Sequence, residues 1–545
     1  MIDKAFLSSD LFLLTLTVGL YCLGCAVYRR LRVPLLHPVL LTFVAVIVFL
    51  SAAGIDYPRY KQATSALDFA LGMSVVALGY LLYEQVEQLR GSLLPVGVAT
   101  LAGCVTGVLS VVYIAMAFGA GREILTSIAP KSVTVPIAVS VSGPLGGIVN
   151  ESAIRHRIRL LKEMGCNAIR TSHNMPAPEL IEICDETGMM VMAESFDEWE
   201  TKKVENGYHK EFGQWAERDL VNLVRRFRNN PSVVMWCIGN EVPDQWNGDR
   251  GPKLSLRLQN ICHREDPTRP VTQGMDAPDA VTANNMAAVM DIPGFNYRPH
   301  LYARNYLRLP QEMILGSETA STISSRGIYK FPVVRRSMPR YDDHQASSYD
   351  VEHCGWSNLP EDDFIQHDDR PYCMGEFVWT GFDYLGEPTP YYSDWPSHSS
   401  LFGIIDLAGI PKDRYWLYRS KWNPEAETLH ILPHWNWKGR EGEVTPVFIY
   451  TNYPEAELFI NGRSQGRRRK DTSVTIDNSA DSVSAADLKR QRRYRLMWMD
   501  TRYEPGTVKA VAYDEEGNAV AEREIRTAGE PYRIVLEADR TVIAA

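Results

Sequence analysis

Apolar positions along the chain pass through three regimes. Before residue 120 they form long unbroken runs, at roughly 11–28, 34–53, 66–83 and 93–119, separated by hydrated loops. Each run is near the length of a membrane-spanning helix, so the pattern predicts about four spans within residues 1–148. Arg29-Arg30-Leu31-Arg32 follows the first run and Arg90 the third, which places those loops in the cytoplasm and the chain beyond the fourth run outside. Arg59 and Lys61, after the second run, speak against that topology. The first run does not read as a cleavable signal, because its flank (Asp3-Lys4) is weakly charged and more runs follow.

From about Gly147 the rhythm becomes that of an alternating α/β chain. Ile154, Ile158, Leu161 and Met164 recur at helical spacing within an amphipathic stretch that starts at Val149. Strands are then predicted at Asn167–His173, Met189–Ser195, Val233–Asn240, Pro270–Met275, Val289–Tyr297, Met313–Glu318 and Cys373–Trp379. Helical patterns at Pro178–Glu186 and Glu211–Arg226 lie between some of them. This alternation predicts a (β/α)8 barrel over 149–423 with its first strand missing. Residues 320–372, rich in Ser, Tyr, Asp and His, read as a long insertion walling a cleft.

After Asn423 a third regime of short alternating strands begins: Val444–Thr451, Glu455–Ile460, Tyr494–Met499 and Val508–Asp514. Asn461-Gly462 and Glu516-Gly517 mark turns, and the pattern over 424–530 predicts an immunoglobulin-like β-sandwich. Gly466-Arg-Arg-Arg-Lys470 reads as a solvated hairpin edge rather than an anion site, and 531–545 as the start of a further domain.

Composition changes this picture little. A net charge of −9 gives no reason to expect a nucleic-acid partner. The nine cysteines are scattered, and Cys22-x-x-Cys25 sits in an apolar run without His or charged companions, which reads as packing rather than a metal or redox site. His344, His353 and His367 are too irregularly spaced for metal ligands.

The candidate chemistry lies at strand ends. Val233–Asn240 runs straight into Glu241, and Met313–Ser317 into Glu318. One strand-end glutamate is as readily a solvated residue, but a pair at the C-terminal ends of barrel strands is what glycoside hydrolysis needs. One protonates the leaving oxygen; the other attacks or activates water.

Five ordered stretches carry a resemblance: Met164–Asn174, Glu194–Trp199, Val234–Glu241, Ile314–Glu318 and Gly375–Tyr384. They resemble glycoside hydrolase family 2 over about 149–545, in the Bacteroidetes-type β-galactosidase flavour suggested by Phe382–Tyr391. Pro433–Trp437 with Glu457–Gly462 resembles the accessory module that follows the barrel there. The resemblance implies Glu241 as general acid/base and Glu318 as nucleophile of a retaining, double-displacement reaction. It implies sugar contacts for His173, Asn240 and Trp379, and a Tyr297 that orients the nucleophile. Asp197, Glu198 and Asp383 read equally as sugar or metal contacts and as solvated loop charges. No cofactor is required, with room left for a divalent cation, and the expected partner is a β-galactoside or related oligosaccharide.

Residues 1–148 are similar instead to the LrgB/CidB family of bacterial inner-membrane proteins, through Tyr28–Pro38, Leu67–Leu82 and Ile128–Ile137. That likeness implies a lipid bilayer contacted by residues 1–120, an inner-membrane location and a barrel on the outer side. Family 2 members carry a jelly roll, a sandwich and a first barrel strand before this point, so the join near Gly146-Gly147 reads as a fusion of two truncated genes or as an assembly error. Three readings follow: a tethered retaining β-glycosidase, a catalytically impaired chimaera, or an export or murein-hydrolase regulator with a soluble passenger. The glutamates alone do not separate galactose from glucuronic acid or mannose.

Overall fold

The computed structural model describes residues 9–31, 38–56, 59–60, 63–64, 151–479 and 488–530. Residues 150–531 form one compact unit, and 1–149 with 532–545 another.

In the N-terminal unit, α1 spans Asp10–Leu31 and α2 spans Pro38–Ala53. Among the described residues no helix is long and apolar enough to cross a membrane. α1 holds Thr15, Thr17 and Tyr21 in its middle and charged residues at both ends. α2 is apolar throughout, but its 16 residues reach only about 24 Å against a hydrocarbon core of about 30 Å. The expected bilayer contact of residues 1–120 therefore finds no support in these helices. Two of the four expected spans, 66–83 and 93–119, lie outside the described residues, as does 531–545. Cys22 is exposed, not packed.

The larger unit opens with α3 (Glu151–Met164), which buries Ile158, Leu161 and Met164 as its spacing predicts. Seven parallel strands follow: β1 (Ala168–Arg170), β2 (Met190–Glu194), β3 (Val233–Asn240), β4 (Val271–Met275), β5 (Ile292–Asn296), β6 (Ile314–Thr319) and β7 (Cys373–Val378). They pair in chain order, the arrangement of a nearly closed α/β barrel sheet. Each overlaps a predicted strand. α4 (Pro178–Thr187), α5 (His209–Phe227) and α6 (Arg250–Glu265) cover the outside. Met192, Met235, Cys237, Ile292 and Leu315 fill the inside, all upstream of the strands' C-terminal ends. Above them the interior becomes polar.

The insertion between β6 and β7 carries α7 (Pro360–Asp369), and α8 (Asp413–Trp422) closes the barrel layer. Two antiparallel sheets follow. One comprises β8 (Leu429–Leu432), β9 (Val447–Thr451) and β12 (Leu496–Trp498). The other orders β11 (Arg463–Arg469), β10 (Glu455–Ile460), β13 (Thr507–Tyr513) and β14 (Ala519–Arg526). Ile431, Trp435, Ile449, Leu458, Trp498 and Val508 share the core between them. The β10–β11 turn uses Asn461 (φ 49°) and Gly462 (φ 76°), the left-handed pair that a two-residue hairpin demands. β11, with its arginine run, is the exposed edge strand that the sequence suggested.

Candidate active site

At the C-terminal ends of the strands, side chains from β1 to β7 meet in one hydrogen-bonded layer. Its hub is Arg170 of β1, only 2% exposed. A buried guanidinium is tolerable only if its donors are met. Arg170 donates to Glu194 Oε2 (2.5 Å), the Ser317 carbonyl (2.7 Å), Glu318 Oε2 (3.0 Å) and Asn240 Oδ1 (2.9 Å). Gly274 of β4 makes the space: a Cβ there would come within 2.8 Å of Arg170, 2.9 Å of Asn240 and 3.0 Å of Asn296.

Glu318 is held from two sides. Besides Arg170, the Tyr297 hydroxyl donates to its Oε1 at 2.6 Å, and the Ser321 hydroxyl donates to Tyr297 at 2.8 Å. His173 brings Nε2 to 3.5 Å from Glu318 Oε2, and its Nδ1 donates to Glu194 Oε1 at 3.0 Å. Burial disfavours the imidazolium, but Glu194 and Glu318 together raise the His173 pKa above its ordinary value. The ring lies flat against Trp379, with centroids 5.1 Å apart and planes within 4°. Glu194 is fully buried, which opposes its charge; Arg170 and His173 still hold its carboxyl below the usual range.

Glu241 follows β3 in a left-handed conformation (φ 44°) and receives one hydrogen bond, from Asn296 Nδ2 at 3.0 Å. The same amide nitrogen donates to Asn240 Oδ1 at 2.9 Å, so both glutamates belong to one web. Burial, then the Glu318 charge, then Asp276, push Glu241 up to about 7. Such a carboxyl still holds its proton near neutrality. Glu318, by contrast, accepts charge-assisted and phenolic hydrogen bonds from Arg170 and Tyr297.

All six predicted site residues, His173, Asn240, Glu241, Tyr297, Glu318 and Trp379, thus converge. Asp197 touches the web by accepting from Asn240 Nδ2 at 3.1 Å. Glu198 and Asp383 do not join it, and neither is a solvated loop charge. Glu198 is 3% exposed and accepts from the backbone of Lys203, Val204 and His209. Asp383 pairs with buried Lys412 at 2.7 Å. Among the described residues no group of three or more His, Cys, Asp or Glu could hold a metal ion. Arg170, Glu194, Asn296 and Gly274 were not singled out in the sequence. An arginine inside an apolar strand, and a third strand ending on glutamate at Glu194, are the signals that would have found two of them.

Residues 143–391 match the family described as glycosyl hydrolases family 2, TIM barrel domain. Residues 17–155 match the LrgB-like family, and 442–521 a domain of unknown function (DUF4982). The first two overlap at 143–155, which brackets Gly146-Gly147. The β-galactosidase BoGH2A of Bacteroides ovatus is 40% identical over 441 residues, 74% of this chain and 49% of that protein. A putative β-glucuronidase of Formosa agariphila is 31% identical over 421 residues, 72% and 37% of the two chains. The crystal structure of a β-glycosidase from Bacteroides vulgatus superposes with a TM-score of 0.59 at 32% identity, covering 72% of this chain and 49% of that one. The chain therefore spans about half, or less, of the length of these relatives.

Proposed function

The barrel segment, residues 143–391, belongs to glycoside hydrolase family 2, and from that premise we propose that the chain is a retaining β-glycosidase acting on β-galactosides. The observation that carries the reading is the asymmetry of the two glutamates. Glu241 is pushed up to about 7 and Glu318 is held by Arg170 and Tyr297 within the same web. In the first half-reaction Glu318 attacks the anomeric carbon while Glu241 gives its proton to the departing oxygen. In the second, Glu241 takes a proton from water, which displaces Glu318 with a second inversion. His173, Asn240 and Trp379 bind and orient the sugar, and Tyr297 sets the attacking oxygen.

Galactose as the glycone is supported by the likeness to BoGH2A, and glucuronic acid is the competing reading supported by the Formosa protein. Hydrolysis of 4-nitrophenyl β-D-galactopyranoside, with the β-anomer as first product by NMR and activity lost in Glu318→Gln, is the expected result. A first product of inverted configuration removes the double-displacement step. Equal inertness of wild type and Glu318→Gln favours instead an impaired chimaera, a reading to which the outer edges of β1 and β7, without a strand partner among the described residues, lend support. Residues 424–530 are read as an immunoglobulin-like module. The same proposal places the barrel outside a bacterial inner membrane on the strength of the LrgB-like match, and fractionation with protease access from the periplasm tests it.

A further inference from the structure

Beside the web lies a cavity of about 700 Å³ that reaches from Tyr297 to the C-terminal module. That volume suits a sugar residue rather than a water cluster. It shares Tyr297 with the catalytic layer and none of Arg170, His173, Asn240 or Trp379. Its other walls are the loop after β4 (Pro278, Asp279), the insertion, and Arg490 and Gln491 from the region matched to the domain of unknown function. The β4 loop also carries Asp276, whose charge helps load Glu241 with its proton. The cavity therefore adjoins both Tyr297 and the segment whose Asp276 acts on Glu241.

Its lining is chemically selective. Trp356, 37% exposed, offers a ring face of the kind a pyranose stacks on. Buried Asn358 and Gln491 bring Oδ1 and Nε2 atoms that have no protein partner among the described residues. His353, 5% exposed, places Nδ1 2.7 Å from the Cys354 carbonyl, and its Nε2 has no hydrogen-bond partner among the described residues. Arg298 donates only to the carbonyls of Tyr297 (2.9 Å) and Trp356 (3.1 Å), with no carboxylate among its described partners. Arg335 and Arg490 both pair with Asp362, at 2.7 and 3.0 Å, and with Arg298 and Lys489 they give the lining four cationic side chains against the carboxylates of Asp279 and Asp362. The other aspartate of the lining, Asp279, already pairs with Arg304. Acceptors and donors for hydroxyls, an aromatic face and surplus positive charge occur together in one pocket.

We propose that this cavity is a leaving-group subsite for an acidic sugar, carboxylated or sulfated, with Arg298 as its anion contact and the C-terminal module as one wall. The proposal rests on the glycosidase reading above and adds to it the class of aglycone.

Three disaccharides with a common β-galactosyl unit test it, their leaving units being glucose, glucuronate and glucose 6-sulfate. The wild type is expected to favour an acidic leaving unit by about tenfold or more in kcat/KM, the scale of a hydrogen bond to a charged group. The preference should shrink in high salt and approach one in Arg298→Gln. Whichever acidic arm responds names the anion. An equal rate on all three, or a preference untouched by Arg298→Gln, overturns the subsite. So does a loss confined to 4-nitrophenyl β-glucuronide, whose only anion lies in the glycone. If wild type hydrolyses none of these, the glycosidase reading falls on its own. Calorimetry of the same disaccharides with Glu318→Gln, alone and combined with Arg298→Gln, then decides the pocket: tighter binding of an acidic one that Arg298→Gln abolishes supports it, and equal binding sinks it.

Discussion

Two buried arginines, Arg170 in the barrel mouth and Arg495 at the seam between barrel and C-terminal sheets, solve the same electrostatic problem for different ends. Arg495 is fully enclosed, paired with Glu361 and donating to the carbonyls of Tyr349 (3.0 Å) and Asp350 (3.2 Å) and to the Tyr450 hydroxyl (3.1 Å). Every partner there is protein, and the seam also contains an acid, Asp350, that burial pushes up to about 7. The mouth holds an acid at the same value, Glu241. Acidity therefore does not distinguish them. Access does: Asp350 is wholly buried, whereas Glu241 is partly exposed. A displaced pKa marks a working group only where a substrate can reach it.

Neutralising one carboxylate in each region should separate the two most strongly. Glu318→Gln should lower kcat by on the order of 10⁴-fold or more, as expected when an attacking group is removed. Glu361→Gln, at the seam, should cost stability and leave the pH profile of the folded enzyme where it was. A seam variant that moves the profile would erase the distinction.

Glu241→Gln comes next, with a loss of roughly 10²- to 10⁴-fold on substrates with poor leaving groups. Its sign in pH follows from the raised value. Glu241 is protonated below about 7, so hydrolysis by the wild type should fall as pH rises through about 7. That basic limb of kcat/KM should be absent from the variant. If it persists, another group sets it.

Stability supplies a smaller contrast. Arg170→Met strands Glu194 and Glu318, and Arg495→Met strands Glu361, each leaving a buried charge uncompensated at a cost of about 3–5 kcal/mol. Denaturant unfolding should show both losses. Only Arg170→Met should also displace the basic limb, since only Arg170 borders the web that loads Glu241.

What could be read from the chain divides along the same line. The inner strands β2 to β6 were legible because both faces of each are largely buried, which makes near-continuous apolar runs, whereas the outer strands β1 and β7 are only partly buried. Glu241 and Glu318 were legible because each breaks such a run at its end. Arg170 was not, because its worth depends on Glu318, 148 residues away, and on the cleared space over Gly274. Glu198 and Asp383 look like loop charges in sequence, and nothing local announces that three backbone amides or Lys412 will enclose them. At the N-terminus the apolar runs at 11–28 and 34–53 coincide with α1 and α2, neither of which is long and apolar enough to cross a membrane. The edge strand β14 escaped notice because an exposed strand carries little apolar rhythm, and β11 showed only through its arginine run.

The smallest predicted effect concerns Glu198, whose loop supports the mouth indirectly. Asp197 accepts from Lys203 Nζ (2.7 Å) and Asn240 Nδ2 (3.1 Å), while Glu198 gathers the backbone amides of Lys203, Val204 and His209 beneath them. Burial alone would raise the Glu198 pKa, yet those amides and the His209 ring bring it down to about 2. A group lowered on folding stabilises fully above its ordinary value of 4.5, and loses that contribution as pH falls towards 2. Glu198→Gln should thus cost about 1–3 kcal/mol at pH 7, the range for hydrogen bonds to a charged acceptor. The gap between variant and wild type should close on acidification through that window, because the wild type then carries a neutral carboxyl too. Parallel stability curves from pH 6 to pH 3 would mean that the loop is held by packing, and that the charge at Glu198 contributes nothing.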